Sequence, residues 1–243
     1  LGIPTILDRF IQQCVLQILE PICEAKFFDR SNGFRPNRSA ENAIAQYYLR
    51  IQTMDLHYVL DIDIKGFFDN VNHGKLLKQM WTLGIRDKKL LKIISLMLKA
   101  EVAGIGFPAK GTPQGGIISP LLSNIVLNEL DWWIASQWEF FPTRHKYKNM
   151  CHGSQCKSDM YAALRKNSNL KECYIIRYAD DFKILCKKRS DAEKLFVAVK
   201  DWLKQRLGLD ISPEKSKIVN LKRQYSEFLG FKIKVIRNGR KKN

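Results

Sequence analysis

The stretch Cys173-Tyr174-Ile175-Ile176-Arg177-Tyr178-Ala179-Asp180-Asp181-Phe182-Lys183-Ile184-Leu185-Cys186 decides how this chain is read. Two apolar β-type runs flank Tyr178-Ala179-Asp180-Asp181, so two adjacent carboxylates are expected on a hairpin. Like charges in that position repel and resist desolvation unless a cation neutralises them, which points to a divalent metal site. Turn statistics alone favour a plainer reading, a solvated hairpin turn. The Asp-Asp pair by itself does not choose between the two.

A third carboxylate shifts the balance. The segment His57-Tyr58-Val59-Leu60-Asp61-Ile62-Asp63-Ile64 alternates with period two. Tyr58, Leu60, Ile62 and Ile64 fall on one face, and Val59, Asp61 and Asp63 on the other. Beside the hairpin, Asp63 and Asp180 would bridge two Mg²⁺ ions, with Asp181 completing the cluster. Such ions, roughly 3.5–4 Å apart, polarise an attacking 3′-hydroxyl and stabilise the leaving pyrophosphate. Asp61 is expected on an exposed edge face instead.

The whole chain carries 41 basic against 24 acidic residues, a formal charge of +17 that exceeds what solubility requires. A polyanion is the natural partner. With 243 residues, 45% of them apolar, the chain buries a sizeable core. No apolar run approaches the ~20 residues of a spanning helix, and no signal-peptide pattern appears, so no membrane is expected. Six scattered cysteines, three of them within apolar segments, fit a reducing, cytoplasmic setting. Cys151-His152-Gly153-Ser154-Gln155-Cys156 lacks a paired second knuckle, so no zinc is assigned to it.

Along the chain, Thr5 and Asp8 form a capping box, and apolar residues at helical spacing run on to a bend or stop near Pro21. A Gly-, Asn-, Pro- and Arg-rich loop from Phe28 to Ser39 follows, and Ser39 caps a helix to about Ile51. Helices are expected over Lys75–Met80 and Asp87–Lys99. A hairpin and loop span Glu101 to Gly116, and a long helix opens at Ser119-Pro120 with Ser119 as its cap. Residues 141–172 read as a polar, basic excursion. Ser190 and Glu193 form a second capping box leading a helix to Leu207, and short strands lie around Ile218 and from Phe228 to Val235. The central order of strand, helices, strand, strand, helix, strand is the split βαβ, ferredoxin-like pattern of an α+β fold. Its antiparallel sheet would place the Asp63 strand alongside the Asp180-Asp181 hairpin.

Asp63-Ile64-Lys65-Gly66-Phe67-Phe68-Asp69, then Thr112-Pro113-Gln114-Gly115-Gly116, then Tyr178-Ala179-Asp180-Asp181 resembles the ordered motif series of reverse transcriptases. More narrowly, it is similar to the bacterial group II intron-encoded reverse transcriptase and maturase family. The likeness begins at Leu1-Gly2-Ile3-Pro4-Thr5, includes Gly33-Phe34-Arg35-Pro36-Asn37-Arg38-Ser39, and ends near Phe228-Leu229-Gly230-Phe231. Arg-Pro-Asn-Arg-Ser-Ala-Glu-Asn favours that group over the reverse transcriptases of retrons or diversity-generating elements.

The resemblance implies a right-hand polymerase of fingers and palm. Residues 1–57 and 74–116 are assigned to the fingers, and residues 58–73 and 117–243 to the palm, with the insertion at about 141–172. A thumb is absent, so the chain reads as a fragment. The implied activity is RNA-directed DNA synthesis from dNTPs on an RNA template and a DNA or RNA primer. Two Mg²⁺ ions, for which Mn²⁺ substitutes, would be held by Asp63, Asp180, Asp181 and the backbone of Ile64. Arg35 or Arg38 would meet the triphosphate, because a guanidinium fork matches phosphate oxygens. Lys65, Phe68, Gln114 and Lys215 complete the nucleotide site, Phe68 as the ring that excludes a 2′-hydroxyl and Lys215, with Lys217 as its rival, as the proton donor to pyrophosphate. Tyr178, Phe228, Leu229 and Gly230 would hold the primer end.

Group II intron RNA is a further implied partner, touched by Lys146, Lys148, Lys157 and Arg165 of the insertion. Apolar surfaces normally covered by a thumb would pair two copies. The expected location is the bacterial cytoplasm, in association with the nucleoid or a ribonucleoprotein. An RNA-binding splicing cofactor without essential polymerase activity is the competing function. Against it, a chain kept only for RNA binding has no physical need for three site carboxylates.

Overall fold

The computed structural model describes residues 4–104, 106–113, 115–147, 150–151, 154–155 and 157–236. The capping box at Thr5 forms, with Asp8 N–H donating to Thr5 Oγ1 at 3.2 Å, and opens α1 (Ile6–Glu24). Pro21 lies inside this helix rather than ending it. Proline removes one hydrogen bond there, and the packing of Leu19 and Cys23 into the core carries the last turn past it. Ser39 caps α2 (Ala40–Met54) in a second box with Asn42.

Then come β1 (Tyr58–Ile62), a short α3 (Phe67–Asn70), α4 (His73–Thr82), α5 (Lys88–Leu98) and the long α6 (Ser119–Gln137). Ser119 does not cap α6: Ile118 occupies the cap position, and Ser119 Oγ donates to the Pro113 carbonyl at 2.7 Å. The region 141–172 is more ordered than its composition implies. It holds a two-stranded pairing of β2 (Met150–Cys151) with β3 (Ser154–Gln155), and a helix, α7 (Ser158–Asn167). Tyr161 of α7 stacks on the fully buried Trp138, ring centroids 5.6 Å apart, which ties the excursion to the core. The rest of the Cys151–Cys156 stretch lies outside the described residues.

The hairpin of β4 (Cys173–Tyr178) and β5 (Asp181–Cys186) leads into α8 (Arg189–Trp202), which closes on a π-helical turn over Leu203–Leu207. The expected Ser190–Glu193 capping box does not form. Lys188 is the cap residue, and Arg189 instead pairs with Glu193 at 2.8 Å within the first turn. β6 (Lys217–Asn220) follows, then a separate hairpin of β7 (Ser226–Phe228) and β8 (Phe231–Ile233).

One four-stranded sheet runs in the order β4-β5-β1-β6, antiparallel throughout. That order, with α6 connecting β1 to β4 and α8 connecting β5 to β6, is the ferredoxin-like arrangement the strand and helix sequence implies. α6 packs on β4 while α8 packs on β1, β5 and β6. α6 is buried along most of its length, so its residues are apolar nearly all round. No helix among the described residues is long and apolar enough to cross a membrane.

Candidate active site

The register of β1 on β5 runs from Tyr58 opposite Cys186 to Ile62 opposite Phe182. It ends one residue before Asp63 on one strand and Asp181 on the other. Antiparallel pairing thus delivers Asp63 and the turn carrying Asp180 and Asp181 to the same end of the sheet. Asp63 is further anchored from the β6 side. Its carbonyl accepts from Ser212 N–H at 2.8 Å, and its N–H donates to Ser216 Oγ at 3.1 Å. Ile64, buried, bridges to Ile211, and Lys65 N–H donates to the Asp210 carbonyl at 2.8 Å, leaving the Lys65 side chain exposed.

Ammonium groups sit on these carboxylates. Lys183 Nζ lies 3.1 Å from Asp181 Oδ1 and 2.5 Å from Asp61 Oδ1, and Lys215 Nζ lies 3.8 Å from Asp63 Oδ2. Asp61 is therefore not on a free edge: its register partner across the ladder is Lys183, and it shares that lysine with Asp181. Burial raises the Asp181 carboxyl above the ordinary value of 3.8; Lys183 opposes the rise, and the Asp61 and Asp180 charges add to it. Among the described residues no three Asp, Glu, His or Cys side chains are gathered closely enough to hold one ion. The donor chemistry nonetheless fits a hard divalent cation, since the groups are carboxylates, half-exposed, and crowded enough to perturb one another.

The turn itself is held by residues that periodicity did not single out. Ala179 takes φ = 57°, a conformation an L-residue rarely adopts. Arg177, fully buried, donates Nη1–H to the Ala179 carbonyl and to Asn124 Oδ1, both at 2.8 Å. Its Nε and Nη2 clasp Asp131 of α6, the closest contact being 2.6 Å. Asn124 Nδ2 in turn donates to the Gly33 carbonyl at 2.8 Å, and the loop before Gly33 lies along β4, Asn32 N–H donating to the Arg177 carbonyl. Gly33 approaches so closely that a Cβ there would stand 2.2 Å from Ala179 N. A signal for this network existed in an arginine inside an apolar strand and in Asn124 and Asp131, two helical turns apart on a largely apolar helix.

Arg35 is not a free loop side chain. It is buried, pairs with Glu24 at 2.8 Å, and donates Nη1–H to the carbonyls of Phe28 and Ser31, so its guanidinium braces the loop. Arg38 is half-buried and donates Nη1–H to the Asp29 carbonyl at 3.1 Å. Of the two adjacent phenylalanines, Phe67 points into the core and Phe68 stays half-buried, the rings edge to face at 5.3 Å. Thr112 N–H donates to the Phe68 carbonyl at 2.7 Å, which ties the Thr112-Pro113 strand of the loop to α3; Gln114 lies outside the described residues.

Phe228 is fully buried, 5.7 Å from the Tyr47 ring and with Lys183 Nζ 5.4 Å from its centroid, so its ring covers the Lys183 pair. Leu229 and Gly230 form the β7–β8 turn, both at positive φ, and Tyr178, half-buried, ends β4 opposite Asp181. In the excursion, Lys157 donates to the Glu139 carbonyl at 2.9 Å and Arg165 pairs with Glu172 at 2.5 Å, so both are anchored; Lys146 is exposed, and Lys148 lies outside the described residues.

An antiparallel βαββαβ sheet that brings three carboxylates to one strand end is the palm of a right-hand nucleic-acid polymerase. Within that class the chain belongs to the reverse transcriptase family: residues 1–233 match the family described as reverse transcriptase (RNA-dependent DNA polymerase). It is 34% identical over 272 residues to the group II intron-encoded protein LtrA of Lactococcus lactis subsp. cremoris, covering 98% of this chain and 45% of LtrA. It is 31% identical over 243 residues to protein YkfC of Escherichia coli K12, covering 96% of this chain and 62% of YkfC. The chain thus spans about half the length of the curated relatives it matches. Apo telomerase of Candida tropicalis, truncated from the C-terminal domain, shares the fold at a TM-score of 0.56 and 14% identity, over 93% of this chain and 43% of that one.

Proposed function

We propose that this chain is the RNA-directed DNA polymerase domain of a group II intron-encoded protein, adding dNTPs to a primer 3′-hydroxyl on an RNA template. The observation that carries the reading is the β1–β5 register, which ends at Ile62 opposite Phe182 and so brings Asp63 and Asp181, each one residue beyond it, to the same end of the sheet. Asp63, Asp180 and Asp181, with the Ile64 carbonyl, would hold two Mg²⁺ ions, or Mn²⁺ in their place. Once bound, these ions lower the barrier by polarising the 3′-hydroxyl and neutralising the departing pyrophosphate.

The remaining roles belong to the chain. Phe68, half-buried and braced by Phe67, presents a ring edge that would exclude a 2′-hydroxyl. Arg38, on the same loop as the buried Arg35, would meet the triphosphate, joined by Lys65 and by Gln114. Lys215, whose Nζ lies 3.8 Å from Asp63 Oδ2, would hand a proton to pyrophosphate. Tyr178, Leu229 and Gly230 would seat the primer end over a floor containing Phe228. The fingers would comprise residues 1–57 and 74–116, and the palm residues 58–73 and 117–243; the single sheet shared by β1 and β4–β6 supports that division.

The +17 charge supports contact with RNA, and the likeness to an intron-encoded protein supports intron RNA as one such partner. Ile6, Leu7, Phe10 and Ile18 expose an apolar face of α1 that fits pairing of two copies. The test is primer extension by the native protein with Mg²⁺ and dNTPs. Asp63→Asn and Asp180→Asn should each abolish extension while leaving the melting temperature within a few degrees; extension that survives both substitutions sinks the proposal.

A further inference from the structure

We propose that Lys183 is a built-in counter-cation that holds Asp181 against Asp61 until a divalent ion claims Asp181. The idea rests on the polymerase reading above and concerns how its site is kept in the absence of metal. Lys183 is an unusual residue for its place. It lies in the middle of β5, its side chain 4% exposed, beneath the Phe228 ring, where an unpaired ammonium would be strongly disfavoured. The strand alternation aims it at the same face as Asp181, two residues before it, and at Asp61, its partner across the ladder. Both carboxylates are in contact with its Nζ, at 3.1 and 2.5 Å.

Asp61 and Asp181 differ in what they face. Asp61 has a ladder position inside the sheet, whereas Asp181 stands at the sheet's end beside the Asp180 turn, with its side chain 41% exposed. Asp181 is thus the carboxylate able to turn outward toward Asp63 and Asp180, and Asp61 is the one that stays behind as the partner of Lys183. Around this point four carboxylates, Asp61, Asp63, Asp180 and Asp181, face two ammoniums, Lys183 and Lys215. The surplus is negative, so the site still attracts a divalent ion, but Asp181 must first be drawn from Lys183. The lysine therefore weakens metal binding in the free protein and leaves the carboxylates neutralised and ordered meanwhile.

The test is Mn²⁺ binding, read by electron paramagnetic resonance on the protein without nucleic acid or nucleotide. Lys183→Met should tighten Mn²⁺ binding on the order of tenfold, since a unit charge acting at contact distance is removed. Because that variant strands Asp61, the double substitution Asp61→Asn with Lys183→Met is measured beside it. The double variant keeps the local charge of the native protein, so it should bind Mn²⁺ severalfold tighter only if release of Asp181 is the cause. Native-like Mn²⁺ affinity in the double variant would overturn the proposal, reducing Lys183 to a general electrostatic influence. Mn²⁺ binding that ignores Asp63→Asn and Asp180→Asn is a separate outcome: it would remove the polymerase metal site itself, and this inference with it.

Discussion

Arg177 and Asp131 form an ion pair entirely out of solvent, the Arg177 Nη2 to Asp131 Oδ2 distance being 2.6 Å and both side chains fully buried. One partner stands at the end of β4, next to the turn; the other stands on α6, the helix beneath it. The pair joins the hairpin that carries Asp180 and Asp181 to the palm's main helix, and the second guanidinium nitrogen reaches the Ala179 carbonyl at the apex of the turn.

Breaking this pair from either side leaves an uncompensated buried charge, a cost of about 3–5 kcal/mol. Asp131→Ala and Arg177→Met should each lower stability by that order in urea denaturation. Joining them in one chain should cost less than the sum of the two, because neither charge is then stranded. Additive losses would mean that the pair is not energetically coupled.

Gly33 gives a second prediction from a contact across the same turn. A Cβ at this position would come within 2.2 Å of Ala179 N and 2.9 Å of Ala179 Cα, both backbone atoms that have no rotamer by which to give way. Gly33→Ala should therefore displace the loop or the turn, lowering the melting temperature and cutting primer extension more than the stability loss alone accounts for. A variant that melts and extends like the native protein would show that loop and turn do not touch in solution.

Much of this was legible in the sequence, and the part that was not has a common cause. Period-two alternation in residues 57–64 located β1, and the two apolar runs within residues 173–186 located β4 and β5. Arrangement of the strands followed from their order. By contrast, Asp61 and Lys183 each look like solvated residues on a strand face, and only the register that places them opposite one another turns them into a pair. Arg35 misled for a similar reason. An arginine in a Gly- and Pro-rich loop reads as free, until the fold brings Glu24 and two carbonyls around it. The capping boxes illustrate the same limit: Thr5 and Ser39 precede helices that begin beside them, whereas Ser190 falls one residue inside a helix that starts at Arg189.

Asp181 makes stability depend on pH in a direction opposite to most paired carboxylates. Its pKa in the folded chain is raised above 3.8, chiefly by burial, so the native state holds the proton more firmly than the unfolded state does. Stability from this group is thus greatest below the ordinary value and falls as pH rises through the raised one. Asp181→Asn, which cannot ionise, should remove that decline. Melting curves from acid to neutral pH should show the variant gaining on the native protein as pH rises, while primer extension is lost. Parallel curves would mean that Asp181 is not perturbed.

Arg35 and Arg38, three residues apart, should behave as opposites. Arg35→Ala removes a buried guanidinium that satisfies Glu24 and the carbonyls of Phe28 and Ser31, so it should cost about 2–4 kcal/mol of stability, a range set by the loss of charged hydrogen bonds. Arg38→Ala removes a half-buried side chain that donates to the Asp29 carbonyl, and should cost no more than about 1 kcal/mol of stability. If Arg38 meets the triphosphate, the same substitution should raise KM for dNTP about tenfold or more, a loss in keeping with a charged hydrogen bond to phosphate. A native KM in Arg38→Ala would leave the triphosphate to other cations of the site, with Lys65 the next to substitute.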